Sequence, residues 1–289
     1  NAIVVNGPVT FETYAGNWTQ NGPITGSGTI TRGTLANLSL LLAGDNSGFT
    51  GTYQDQENGN AVTRFSANTA GSANAHWIFN QPILGKTSLP GATGTIRFGS
   101  FSGSGTLSDG GNGILNTVEV GALGLDDTFS GVIGQFGGTI GLTKVGAGTM
   151  TLLGINTYTG PNNINAGKLL ITTETQAKGN YTVANGATLS VSNVTTSSAS
   201  ISNLTLAAGS TLELMNITST TTPLLAANNV TVNGSCTVKI SLPGGIALGT
   251  YPLANYAGTF SGNFANLQLQ LPAGISGTLV SNANQIALS

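Results

Sequence analysis

The chain has 289 residues, of which 8 are basic and 10 acidic, so only 6% are charged, against about a quarter in an ordinary soluble domain. So few positive side chains cannot neutralise a row of phosphates, which excludes a nucleic-acid-binding protein of the usual kind. The longest apolar runs, such as 40–43, are far shorter than the roughly 20 residues of a membrane-spanning helix, so no transmembrane segment is expected.

Helix is disfavoured along the whole chain. Gly accounts for 43 residues, and Glu, Lys and Arg, which usually form exposed helical surfaces, are scarce. Val, Ile, Leu and Thr instead recur in alternation, and 39% of the residues are hydrophobic, which is enough to bury a continuous core. The composition predicts an ordered, all-β protein.

An aromatic residue, a small residue and Gly recur together along the chain. They do so at 49–51, 101–103, 129–131, 158–160 and 260–262, with looser copies at 14–16 and 256–258. Gly suits a turn, and the preceding ring can stack on its counterpart in an adjacent layer. We interpret this motif as a structural repeat.

Short alternating segments lie between these turns, without the helical pattern that would connect the strands of a doubly wound sheet. They favour a parallel β-helix, or β-solenoid, in which each strand pairs with its equivalent one turn away. At roughly 20 residues per coil the chain would form about 14 coils. An irregular β-sandwich stack is the alternative. The alternation predicts these core residues: Leu152, Leu169, Ile171, Leu189, Val191, Leu204, Leu206, Leu212, Leu214, Val238 and Ile240.

Few residues are candidates for catalysis or metal binding. His76 is the only histidine, and the alternation of its segment places it with Ile78, opposite Trp77 and Phe79, which favours a structural or surface role. With one His and one Cys, a metal site built from several such ligands is impossible.

Two groups of acidic residues need separate consideration. Asp126 and Asp127 are the only adjacent acidic pair, but neighbouring strand residues point to opposite faces, so a turn explains them better than an acid and base pair. Asp55 and Glu57 would share a face if extended, with Arg64 nearby. A solvated loop is the simpler interpretation of that segment, and weak Ca²⁺ binding is the alternative.

The single Cys236 excludes an intramolecular disulfide. It is in phase with the apolar positions 238 and 240, so we expect a buried thiol that packs as a small hydrophobic side chain. The chain begins at Asn1 rather than Met, which fits an exported form from which a signal peptide was removed, although a boundary of another origin would look the same.

Residues 138–171 contain the most specific pattern. Its parts are Leu142-Thr-Lys-Val-Gly-Ala-Gly148, Gly154-Ile-Asn-Thr-Tyr-Thr-Gly160 and Ile164-Asn-Ala-Gly-Lys-Leu169. This sequence resembles the autotransporter-associated β-strand repeat, also called the passenger-associated transport repeat, and weaker copies lie near 28–53, 105–133 and 183–215. The resemblance covers about half of the chain and implies a right-handed parallel β-helix of the kind exposed on or secreted from bacterial cells. We predict that residues 1–289 form a single elongated solenoid of this type.

These observations together predict a non-enzymatic extracellular structural protein, either a β-helical stalk or a self-assembling filament or surface-layer subunit. No catalytic, cofactor-binding or metal-binding residue is assigned. A carbohydrate-binding adhesin is the first alternative, since a shallow glycan site needs little more than an exposed aromatic such as Trp18 or Trp77. A polysaccharide hydrolase or lyase is the second, because many similar β-helices have such activities.

Both ends of the chain, 1–6 and 284–289, are short, β-prone and uncharged. Unpaired strand edges bind further strands, and a head-to-tail contact does not close into a dimer. We therefore expect copies of the chain to bind one another through the solenoid ends, giving a fibre or sheet. The alternative is a single stalk module within a larger surface protein. Surface glycans are the other expected partner, and nucleic acid is not.

Overall fold

The structure is a computed structural model that describes residues 1–12, 16–33, 38–55, 62–80, 86–88, 93–109, 113–242, 247–282 and 284–289. Within these residues the regular structure is β-strand, except for two short 3₁₀ helices at Asn68–Ala70 and Phe264–Asn266. This confirms the predicted all-β class. The chain divides into two compact units, Asn1–Gly160 and Pro161–Ser289. That residues 1–289 form one elongated solenoid stays a prediction.

The strands described in the first unit are β1 (Ile3–Val4), β2 (Val9–Phe11), β3 (Trp18–Gln20), β4 (Ile24–Thr25), β5 (Thr29–Arg32), β6 (Ser39–Leu42), β7 (Thr52–Asp55), β8 (Val62–Phe65), β9 (Ser72–Ile78), β10 (Lys86–Ser88), β11 (Gly94–Ser102), β12 (Thr106–Ser108), β13 (Leu115–Val120), β14 (Asp127–Phe129), β15 (Val132–Gly134), β16 (Thr139–Lys144) and β17 (Thr149–Leu152). Two parallel sheets dominate this unit. One has the order β2-β5-β7-β9-β11-β13-β16, and the other β3-β6-β8-β10-β12-β15.

The strands described in the second unit are β18 (Asn162–Ile164), β19 (Lys168–Thr172), β20 (Tyr181–Val183), β21 (Thr188–Ser192), β22 (Ala199–Ser200), β23 (Asn203–Ala207), β24 (Thr211–Met215), β25 (Leu225–Ala227), β26 (Asn229–Asn233), β27 (Cys236–Ser241), β28 (Tyr251–Tyr256), β29 (Phe260–Ser261), β30 (Leu267–Gln270), β31 (Leu279–Asn282) and β32 (Gln285–Leu288). Two parallel sheets again dominate, β18-β20-β23-β26-β29 and β19-β21-β24-β27-β30.

Each strand of these sheets pairs in parallel with its equivalent in the next coil, which confirms the β-solenoid over the alternative of an irregular β-sandwich stack. Partner residues in the long sheets lie from 19 positions apart, as in Asn162 and Tyr181, to 31, as in Cys236 and Leu267. Most coils are therefore longer than the expected 20 residues, and the described residues form fewer of them than 14. The right-handed winding stays a prediction.

The register is held by columns of apolar side chains that point inward. Leu189, Leu212 and Val238 are consecutive partners in one such column, and Val191, Leu214 and Ile240 form the next. All eleven core residues predicted from the alternation are at most 3% exposed. Because side chains alternate with a period of two, a slip of one residue would expose the whole set, so burial fixes the pairing.

Glycines of the repeated motif pack against the backbone of a neighbouring coil, and Gly131 stacks between Gly105 and Gly154, which lie outside the motif. A Cβ atom at Gly131 would overlap the carbonyl oxygen of Gly105, and one at Gly154 would overlap that of Gly131. The motif rings of Phe49, Phe101, Phe129 and Tyr158 are buried, whereas that of Phe260 is half-buried, and the centroids of Phe101 and Phe129 are 4.5 Å apart. The interpretation of the motif as a structural repeat is confirmed at these positions, whereas Tyr14 lies outside the described residues.

The C-terminal strand is already paired on both sides, contrary to the expectation of an open edge. The third sheet of the second unit has the order β22-β25-β28-β32-β31, and β32 is antiparallel to both β28 and β31. Its backbone groups are therefore used within this chain, because residues 251–256 and 279–282 flank it. The premise that 284–289 offers an unpaired strand is wrong.

Cys236 starts β27 and is 2% exposed. Burial raises the pKa of its thiol, so the reactive thiolate is suppressed. The prediction that it packs as a small hydrophobic side chain is confirmed.

Candidate functional site

His76, Ser100 and Asp127 form a chain of polar contacts. The chain has the residue types of a Ser-His-Asp nucleophilic site, but the serine lies in the middle instead of the histidine. The hydroxyl of Ser100 donates to Asp127 Oδ1 at 2.6 Å, and His76 Nε2 lies 3.2 Å from the same hydroxyl. In an activated serine the histidine stands between the serine and the acid, so that it can take the hydroxyl proton. Here the serine is central, is fully buried and directs its proton to the carboxylate. These contacts link neighbouring strands and give the hydrolase alternative no support.

The two adjacent aspartates lie in different surroundings. Asp127 is buried and also accepts a hydrogen bond from the backbone N–H of Phe101 at 3.1 Å. Asp126 is exposed and accepts from the backbone N–H of Thr149 at 2.6 Å. They do not face one cleft as an acid and a base would have to.

Asp55 is not in a solvated loop, so that interpretation is wrong for this residue. It ends β7, is 2% exposed and accepts from the hydroxyl of Thr63 at 3.0 Å. That hydroxyl also lies 2.7 Å from the phenol oxygen of Tyr53, whose pKa is raised well above its ordinary value by burial and by Asp55. Arg64 is exposed and donates to Ser39.

A calcium site at this segment gains no support, although Glu57 lies outside the described residues. Across the parts of the chain that the structure describes, no three His, Cys, Asp or Glu side chains are grouped as metal ligands.

Trp77 cannot serve as an exposed aromatic for glycans, which corrects one premise of the adhesin hypothesis. It is 1% exposed, donates from Nε1 to the carbonyl of Ser72 at 3.1 Å and packs 5.2 Å from Tyr53 between ring centroids. Trp18 is half-buried and stands edge-on to Phe11 at 5.2 Å. The aromatic residues of the first unit mainly fill its core.

Lys144 is unexpectedly buried, at 1% exposure. Its ammonium donates to the carbonyls of Val145 and Gly146 at 2.7 and 2.8 Å. Burial lowers its pKa to about 8, although Asp127 and Asp126 oppose the shift. This lysine thus ties together the turn that follows β16.

We expect the free energy of unfolding to rise with pH from about 8 toward 10.5, the ordinary pKa of lysine. In that window the unfolded chain binds the proton that folded Lys144 has released, so increasing pH favours the folded state. Urea unfolding of the wild type and Lys144→Met across this range measures the effect. A difference between the two proteins that does not change with pH would contradict it.

A polar cluster lies on the outer face of the second unit. Glu213 on β24 is only 3% exposed. It receives hydrogen bonds from Lys168 at 2.7 Å, Ser190 at 3.0 Å and Ser241 at 2.8 Å, and its Oε1 lies 2.8 Å from Lys239 Nζ. We call these five residues the Glu213 cluster.

Sequence reasoning missed this cluster because its members come from four different strands. Alternation places Glu213 on the outer face, but nothing in the local sequence shows that Lys168, 45 residues earlier, reaches it. The register supplies the other contacts, since Glu213 pairs with Ser190 on one side and with Lys239 on the other. Only a correct register would have revealed the cluster.

Because the pKa of Glu213 is lowered, we expect the folded protein to lose stability in acid. Burial alone would raise its pKa, but the hydrogen bonds from Lys168, Lys239 and Ser241 outweigh burial and lower the pKa from 4.5 to about 2. The stabilisation of the folded state that follows from the lowered pKa of Glu213 is therefore complete above about pH 4.5 and is lost as the pH falls to about 2. Unfolding measured across this range should show a steeper acid loss in the wild type than in Glu213→Gln.

Glu119 provides the control for this experiment. It forms a more exposed ion pair with Arg97, at 3.1 Å, and such pairs contribute about 0–1 kcal/mol. Glu119→Gln should keep the acid loss of the wild type. An equal acid loss in wild type and Glu213→Gln would refute the role assigned to Glu213.

Comparison with known proteins agrees with this architecture. Residues 142–171 match the model of the passenger-associated-transport-repeat family. A segment of 93 residues is 34% identical to the adhesin BmaC autotransporter of Brucella suis biovar 1. The segment is 32% of this chain but only 2% of that relative.

Residues within the matched segment 142–171 form contacts between neighbouring coils. Asn156 is fully buried, accepts from the backbone N–H of Ile133 at 2.8 Å and donates to the carbonyl of Gly154 at 2.9 Å. Tyr158 is also fully buried, and a Cβ at Gly146 would overlap the carbonyl oxygen of Gly121.

The fold and these contacts define a parallel β-solenoid in which the residues of the repeat specify stacking. Residues 142–171 match the passenger-associated-transport-repeat model, so the chain contains one such repeat, and a 93-residue segment is similar to part of an autotransporter adhesin. No helix in the described ranges is long and apolar enough to cross a membrane.

Proposed function

We propose that this chain is a non-enzymatic, extracellular part of a bacterial surface or secreted protein and acts as a β-helical stalk. The observation that carries the proposal is that the repeat residues are used for stacking coils, as in the buried Asn156 and the glycine column at Gly131. A stalk requires this rigid backbone pairing and needs no reaction centre. The passenger-type repeat match supports the extracellular location.

Labelling of intact bacteria that carry the chain tests its location. Antibodies raised against residues 161–289 should bind intact cells or the culture medium, and added protease should remove the signal from intact cells. Labelling that requires permeabilised cells would overturn the extracellular proposal.

A turnover screen tests the absence of catalysis. Acidic and neutral polysaccharides should remain uncleaved by the wild type. If cleavage occurs and is lost in Ser100→Ala or Asp127→Asn, the chain is an enzyme and the stalk proposal fails.

Adhesion is a second candidate function because the named relative is an adhesin. The chain would then bind a surface glycan as well as support a stalk. Trp77 is buried, so such binding has to use other groups. The outer face of the second unit offers the best set of such groups.

A further proposal is that copies of the chain assemble through the solenoid ends. The strands at the N-terminal side alone support it. β2 and β3 each pair with one strand among the described residues and stand at the edge of their sheets. Electron microscopy and sedimentation should show fibres or sheets that are lost when residues 1–6 are deleted. A monomer at high concentration, unaffected by the deletion, would reject assembly and leave the fold untouched.

A further inference from the structure

Charge in the second unit is concentrated at one place. Residues 161–289 contain five charged side chains, namely Lys168, Glu174, Lys178, Glu213 and Lys239. Three of the five belong to the Glu213 cluster, where two lysines and one glutamate leave a net charge of +1. Residues 1–160 instead hold eight acidic and five basic side chains. The cluster is thus a local positive site on an almost uncharged surface.

A groove of about 490 Å³ borders this cluster, a size within the range of small-molecule sites. Lys239 and Ser241 line it from β27, and Gln270 lines it from the next strand, β30. Lys239 and Gln270 are register partners. Met215 and Leu271 contribute apolar surface. The groove therefore combines an apolar floor with a positively charged edge.

Several polar groups at the groove retain hydrogen-bonding capacity. An ammonium group has three donors, and Glu213 accepts one from Lys239. Gln270 is exposed, and its amide has no hydrogen-bond partner in the described part of the chain. Asn216 has the left-handed φ of 57° and donates from Nδ2 to Ser192 at 3.2 Å, which leaves its side-chain oxygen to accept from a ligand.

We propose that this groove binds an acidic saccharide, a ligand assignment that rests on the extracellular function proposed above. The carboxylate would pair with Lys239, the sugar hydroxyls with Asn216 and Gln270, and the C–H face of the ring would cover Met215 and Leu271. Charge complementarity favours an anion over a neutral sugar. The alternation of apolar surface with amide groups favours a saccharide over a bare inorganic anion.

Titration calorimetry with the whole chain tests the proposal, using 3′-sialyllactose and tri-galacturonate as acidic probes and lactose as the neutral probe. At least one acidic probe should bind about tenfold more tightly than lactose, which corresponds to about 1.4 kcal/mol. Binding should weaken as the salt concentration rises, because exposed charges are screened. No binding of either acidic probe, or equal binding of lactose, would overturn the proposal.

Lys168 and Lys239 provide a matched pair of variants. Each pairs with one oxygen of Glu213 and each carries one charge, but only Lys239 lines the groove. Lys239→Gln and Gln270→Ala should weaken binding about fivefold or more, whereas Lys168→Gln should change it less than about twofold. Asn216→Gly keeps the left-handed backbone while removing the amide, and should also weaken binding.

Three results would contradict the assignment of the site to the groove. Equal losses in Lys168→Gln and Lys239→Gln would show a general charge effect. Inorganic phosphate or an acidic peptide that binds as tightly as the saccharide would show an anion site without sugar recognition. Circular dichroism of each variant distinguishes lost binding from lost fold, and cell labelling tests the extracellular function independently.

Discussion

Leu189→Asp and Leu212→Asp are each expected to destabilise the protein by about 3–5 kcal/mol, since each places a carboxylate without a partner in an apolar core. Leu189 is fully buried and Leu212 is 3% exposed, and the two are stacked partners on β21 and β24. The change also removes the apolar side chain that holds the register at that coil. Urea denaturation, with the midpoint and slope compared to the wild type, measures the loss.

Thr182→Asp is the control for this pair. Thr182 is exposed on β20 between the buried residues Tyr181 and Val183, so the same new charge would remain in water. Its effect should stay within about 0.5 kcal/mol, as for most surface substitutions. If the leucine variants unfold at the wild-type midpoint, the inward assignment of these columns is wrong.

Gly131→Ala is expected to destabilise the protein by about 3 kcal/mol, at the upper end of the usual cost of overpacking. The new Cβ would overlap the carbonyl oxygen of Gly105, and this backbone atom cannot move away without disturbing the parallel pairing of β12 with β15. The same glycine lies below Gly154, so a shift would pass to the next coil. Thermal and urea unfolding measure the cost.

Gly7→Ala controls for the general effect of replacing glycine. Gly7 is exposed, and a Cβ there would meet no atom within 4 Å. At such a position alanine reduces the entropy of the unfolded chain, so the change should be neutral or slightly stabilising. Equal losses in both variants would refute stacking contact as the reason for glycine at 131.

The repeat explains why so much of the fold could be predicted. Alternation identified the core columns, including Leu189 and Leu212, because a strand exposes and buries its side chains with a period of two. The aromatic and glycine motif identified the turns, since a stacked turn leaves no room for a Cβ. Both requirements act within a few residues, and the same pattern recurs in the sequence of each coil.

The errors concern residues whose surroundings come from other strands. Trp77 and Asp55 have sequence neighbours that fit an exposed or solvated position, yet both are buried. Trp77 is enclosed by rings such as Tyr53 and Phe65 from earlier coils, and Asp55 accepts a hydrogen bond from Thr63 on another strand. Composition and periodicity contain no information about such partners.

The sequence by itself determined the all-β class, the stacked coils and the inward-facing residues, because strand periodicity and glycine turns act within a few residues. Only the tertiary structure decided which polar side chains meet. The Glu213 cluster depends on registers that bring Lys168, Glu213 and Lys239 within hydrogen-bond reach, although they are separated by 45 and 26 residues. The serine-centred chain of His76, Ser100 and Asp127 likewise forms across coils. The register is fixed by the burial of whole columns of inward-facing apolar side chains. The register in turn fixes which polar side chains meet on the outer face.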